Sequence, residues 1–186
     1  MNEFAALMTA LVVGNIGLTR FVGVSPLFTK TLSRKSVLTH SLVSCLVIFL
    51  ASVAAHFVGL ALISGGPKLA YLDALIYIAI VLILFALVSF VGKRLGVNQD
   101  SAMLVYFNAS ILFLMMNQAS LTLSIAAALL YALGSGLGFA CFYWIAESMN
   151  ARLHVVDAPY GFKGEALLLL SLGIFAYAIS GLIGII

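Results

Sequence analysis

Long apolar runs separated by short polar stretches set the pattern of this chain. The first run covers Phe4 to about Thr19, the second Val37 to Ile63, and the third Ala70 to Gly92. The fourth covers Ala102 to Met116, the fifth Leu121 to Ile145, and the sixth Ala166 to Ile186. None alternates apolar and polar residues as a half-buried or barrel strand does. A helix needs about 20 residues to cross a hydrocarbon core of about 30 Å. Runs two, three, five and six meet that length, so the pattern predicts helices that cross lipid. Runs one and four are short, and each holds an asparagine, Asn15 and Asn108.

Composition points the same way. Of 186 residues, 64% are hydrophobic and 8% charged, against about 25% charged in a soluble domain. The expected fold is all-α: one polytopic membrane domain over residues 1–186 with six transmembrane helices. Met1-Asn2-Glu3 lacks the positive leading region of a secretory signal, so the first run is read as retained. No basic face exists outside the short loops, which excludes nucleic acid as a partner.

Loop charge orients the chain. Of nine Lys and Arg residues, only Lys68 falls in the second loop. Arg20, Lys30, Arg34, Lys35, Lys93, Arg94, Arg152 and Lys163 all belong to the other side of an alternating chain. The positive-inside rule makes that side cytoplasmic and places both termini outside.

The run lengths read short, long, long, and then short, long, long again. Each half has an odd number of spans, so the halves, about 1–95 and 96–186, face opposite ways. That is the signature of an inverted 3+3 repeat with short or broken first and fourth helices and a site at mid-membrane.

Several residues are candidates for that site. Gly23, Ser25 and Pro26 follow Arg20 closely and oppose helix continuation. They either break the helix within the membrane or end it at the cytoplasmic surface. Arg20 is either an interface anchor or a functional intramembrane charge, which costs roughly 2.5–3.5 kcal/mol to insert. Asn15 and Asn108 either line a pathway or bond between helices. Glu147 stands where the fifth span meets the cytoplasm, with Arg152 as its candidate partner. His40 and His56 have no second ligand at metal spacing and read as packing residues. Cys45 and Cys141 read as buried, inert cysteines. Gly134 and Gly138, and then Ala176, Ser180 and Gly184, repeat at four-residue spacing, a stripe that permits close helix packing. No nucleophile elbow, phosphate loop or carboxylate pair is present, so no catalytic residue is assigned.

The stretch "GNIGLTRFVGVSPLF" (14–28) resembles the first-span motif of the RnfA/NqrE-type membrane subunits of Rnf and Nqr redox-driven ion pumps. Asn15, Arg20, Phe21, Gly23, Ser25 and Pro26 take the motif places. The stretch "VVDAPYGFKGEALLLLSLGIFAYAISGLIG" (155–184) resembles that family's last loop and last span through Asp157, Pro159, Phe162, Lys163 and Gly164. The resemblance implies six spans with both termini on the non-cytoplasmic side of the inner (cytoplasmic) membrane. It implies partnership with a homologous subunit of opposite orientation, and with other redox subunits.

The family holds a two-iron two-sulfur cluster with cysteines of spans one and four. Here Ser25 and Ala109 stand in those places. Sulfur is the expected ligand for such a cluster. The expectation is therefore a divergent member that ligates no metal or cofactor itself, with iron–sulfur or flavin groups on partner subunits. Its role is then scaffold, or part of an ion or electron pathway. The alternative reading is a stand-alone small-solute transporter with a midplane site.

Overall fold

The computed structural model describes residues 3–21, 34–64, 73–94, 111–117, 124–153, 155–157 and 159–181. All its regular elements among those residues are helical. Helix α1 (Glu3–Met8) passes into a π-helical segment (Thr9–Val13), and after a turn α2 follows (Ile16–Arg20). Next come α3 (Arg34–Ser64), α4 (Asp73–Arg94) and α5 (residues 111–117). Helix α6 is Ile125–Leu153, and α7 is Glu165–Ser180, preceded by a 3-10 turn at Tyr160–Phe162. Each of the six apolar runs thus contains helix.

Helices α3 and α6 form the axis of the molecule and pack on one another. They run antiparallel: Gly136 lies against Cys45, while Ile125 and Ala128 share a small cavity with His56. They have 31 and 29 residues, so each is about 45 Å long at 1.5 Å per residue. Both contain a stretch long and apolar enough to cross a membrane, Ser41–Ala61 and Ile125–Leu153. Shorter apolar helices cover Ala74–Phe90 and Glu165–Ser180. Helix α6 continues past Ile145, where the apolar run ends. Glu147, Asn150 and Arg152 lie within it, and no Gly or Pro interrupts that turn.

The broken first span packs on α6, α4 packs on α3, and α7 packs on α6 and on the first span. The core joins Ile48 of α3, Tyr77 of α4, Met115 of α5, Phe142 of α6, and Leu168 and Leu172 of α7. Large apolar side chains also cover the outside: Leu42 and Leu46 on α3, Leu82, Ile83 and Phe90 on α4, Ile174 on α7. An exterior this apolar is a surface for lipid or for other membrane helices, since water-exposed apolar patches of such extent are rare.

Candidate functional site

The first span is interrupted in the middle. In the π segment each turn takes one extra residue, and the Gly14 amide closes it by donating to the Thr9 carbonyl. Asn15 then adopts an extended conformation, φ −65° and ψ 110°, and caps α2. Its Oδ1 accepts from the Gly17 amide at 3.1 Å, and its Nδ2 donates to the Leu11 carbonyl at 3.3 Å. Its own carbonyl accepts from the Thr19 amide and hydroxyl, both at 2.9 Å. Asn15 thus serves a carbonyl before the break and an amide after it. A buried chain break needs such service, because an unpaired backbone group in an apolar medium costs several kcal/mol. With 4% exposure, Asn15 has little water to do it instead. Helix α2 ends at Phe21, whose φ of 51° is left-handed and unusual for a bulky residue.

Glycines let α6 approach this segment. A Cβ on Gly134 would come within 2.7 Å of the Leu7 carbonyl oxygen, and one on Gly138 within 2.6 Å of the Leu11 carbonyl oxygen. Both pairs are four residues apart, so two helical rows run side by side and parallel. Gly17, further along, sits on the Phe142 ring, where a Cβ would come within 2.2 Å. Gly136 faces the other way, toward the Cys45 carbonyl. Helix α6 is therefore closely packed on two sides.

Helix α5 meets the same break. Asn117 Nδ2 donates to the Tyr131 hydroxyl at 3.4 Å, and that hydroxyl lies 3.5 Å from the Cβ position of Gly14. The Arg20 guanidinium stands over the Phe113 ring, 5.8 Å from its centroid. The two short spans of the sequence, residues 4–19 and 102–116, thus come together where the first one breaks. The contacts are two, a helical turn apart along α5: Asn117 with Tyr131 of α6 beside Gly14, and Phe113 with Arg20. Among the described residues, no group of three or more His, Cys, Asp or Glu is placed to hold a metal ion.

No protein-family model matches the chain. It aligns from end to end with the A-subunit of the ion-translocating oxidoreductase complex of Shewanella baltica (strain OS223), 23% identical over 192 residues, covering 100% of each chain. The corresponding proteins of Shewanella loihica (22%) and Shewanella putrefaciens (23%) align over the same full extent. The chain is a full-length, distant homologue of these proteins. The likeness read from residues 14–28 and 155–184 therefore extends over the whole of both chains.

In this homologue the sequence candidates fall in different places. Asn15 and Arg20 lie at the broken span, and Gly134 and Gly138 pack against it. Ala176 is half-buried and Ser180 exposed on α7, whose buried residues are Leu168 and Leu172. Gly23, Ser25, Pro26, Asn108, Ala109 and Gly184 lie outside the described residues. The interruption that is described, at Gly14 and Asn15, comes about two turns before Gly23. Cys45 is half-buried in the α3–α6 seam, and Cys141 is exposed. Tyr131, Asn117, Phe113 and Gly17 were not singled out from the sequence. In an apolar run each is one more aromatic, amide or small residue, and only the meeting of three helices distinguishes them.

The last-loop motif forms a shaped turn. Lys163 pairs with Asp157 at 3.7 Å in full view of solvent, where such a pair contributes little. Gly164 has φ 74° and ψ −121°, which side-chain-bearing residues rarely adopt, and its carbonyl begins α7 by accepting from the Leu168 amide.

Proposed function

We propose that this chain is an integral membrane subunit of an Rnf-like, ion-translocating electron-transport complex, in which it serves as scaffold and as part of the ion or electron pathway. The observation that carries the reading is the end-to-end alignment with the A-subunits of such complexes, which covers the whole of this chain and of each relative. The packing supports the six-span, inverted-repeat arrangement. The first span lies parallel to α6 and α3 antiparallel to it, the directions expected of crossings one, two and five. The axis pairs the two long helices, and each carries the next helix of its own half: α4 on α3, α7 on α6. The loop charges support both termini on the non-cytoplasmic side.

The residues do not fit an iron–sulfur cluster held by this chain. Serine and alanine occupy positions 25 and 109, and the Cys45 sulfur is packed toward Gly136 rather than toward the broken span. Redox groups then belong to partner subunits, one of them an oppositely oriented homologue. Affinity purification of the tagged chain from its own membranes in mild detergent tests this. Recovery with flavin- or iron-bearing subunits is expected. Recovery alone, with solute uptake by liposomes containing only this chain, overturns the reading in favour of a stand-alone transporter.

A further inference from the structure

Toward the end of α3 and the start of α6, the two helices enclose a small cleft. Val53, His56 and Phe57 of α3 line one side of it, and Ile125, Ala128 and Leu129 of α6 the other. Each trio occupies positions i, i+3 and i+4, so each is one face of its helix. All the lining side chains are hydrocarbon except that of His56. His56 is 7% exposed, and its Nε2 is buried with no hydrogen-bond partner among the described residues. Its ring stands edge-on to the Phe57 ring, with centroids 6.0 Å apart and planes at 68°. A buried polar atom without a partner is costly, so one beside a cleft points to a ligand that supplies the partner. The space inside is about 10 Å³, room for a single oxygen-sized atom. A lone water needs two to four polar partners, and these side chains offer one. An oxygen carried on an apolar body suits the cleft better, because it needs one donor and has hydrocarbon on every other side. The mouth is formed by Phe57, Ile125 and Leu129, all exposed on the apolar exterior.

We propose that this cleft binds a lipid-soluble quinone, with His56 Nε2–H donating to one quinone carbonyl oxygen and the flat ring lying at the mouth beside Phe57 and Leu129. With the proton on its other nitrogen, the imidazole accepts at Nε2 instead, so the same atom serves the hydroxyl of the reduced, quinol form. The depth suits a ligand that arrives through hydrocarbon. The apolar span of α3 is Ser41–Ala61, and His56 lies five residues, about 7.5 Å, inside its end. The ester carbonyl of a phospholipid carries the same acceptor chemistry. The exposed Phe57 ring favours the quinone, since an aromatic ring packs well on another and an acyl ester has none to offer. This deepens the reading of the chain as part of an electron-transport complex and rests on it for its physiological meaning.

The chain has three histidines, so the ring-nitrogen resonances of isotopically labelled histidine report on the site. The test titrates decylbenzoquinone into the full chain in nanodiscs of ether-linked phospholipid, which has no ester carbonyl. One histidine signal, the one absent from His56→Leu, is expected to shift saturably. His56→Leu replaces an unpartnered polar ring by hydrocarbon, a change compatible with folding. Its affinity for the quinone, measured as quinone retained above protein-free discs, is expected to fall about tenfold, the loss of one hydrogen bond. His56→Gln, which keeps an N–H donor, is expected to recover part of it. A wild-type histidine spectrum that stays fixed throughout the titration overturns the proposal, as does His56→Leu binding equal to wild type. A signal that moves on exchange into ester-linked lipid but not with quinone also overturns it, and assigns the cleft to phospholipid. None of these readouts needs a partner subunit, so the complex reading stands or falls separately, by co-purification.

Discussion

At the scale of single residues, the broken span rests on two unlike devices. Asn15 provides hydrogen bonds to both sides of the interruption, and Gly17 provides the absence of a side chain where the Phe142 ring lies. The asparagine was visible in the sequence as a polar residue in an apolar run. Its use as a cap was not, because a cap exists only where a helix begins, and apolar periodicity continues across the break. Gly17 gave no signal at all, since glycine is common in membrane helices. Gly17→Ala is expected to destabilise the protein by about 1–3 kcal/mol, the usual range for overpacking. Gly173→Ala on α7, where a Cβ meets nothing within 4 Å, is expected to be neutral or stabilising, gaining at most about 1 kcal/mol of helix propensity. Thermal melts of the two variants in one detergent compare them; equal shifts would contradict the packing described.

At the scale of elements, the four-residue stripe of Gly134 and Gly138 is legible in the sequence, and in the structure both glycines lie against the first span. The sequence left open which helix came close. The partner is the π-helical first span, whose Leu7 and Leu11 carbonyls match the glycines in spacing. The meeting is tightest at Gly138, where the oxygen to be displaced belongs to backbone and has no rotamer to escape into. Gly138→Val should therefore separate the two helices and lower the yield of folded, monodisperse protein severalfold, while Leu137→Val on the exposed side leaves it unchanged. Size-exclusion profiles after detergent extraction read this directly. The stripe of Ala176 and Ser180 behaves differently. Those residues are half-buried or exposed on α7, and the helix anchors itself by Leu168 and Leu172 instead. The same spacing thus marks a seam on one helix and an outward surface on another.

At the scale of the whole molecule, the charged loops and the helix directions make one testable statement about topology. With Cys45 and Cys141 replaced by serine, Asn2→Cys is expected to react with a membrane-impermeant thiol reagent in spheroplasts, and Ser33→Cys only after the membrane is opened. The reverse pattern would place the amino terminus in the cytoplasm and undo the orientation. What the sequence determined alone is what depends on composition and order along the chain. Helices follow from apolar runs that lipid forces to satisfy their own backbone, and ancestry from motifs at both ends, while the basic loops supply the sidedness that the thiol reagent tests. What only the tertiary structure decided is which residues meet. The short spans converge with Tyr131 at Gly14, Arg20 lies over Phe113, and Glu147 lies buried beside a groove. In a chain where nearly every position is apolar, hydrophobicity cannot distinguish a side facing lipid from one facing protein. That distinction arises only when helices pack and glycines allow some faces to come closer than others.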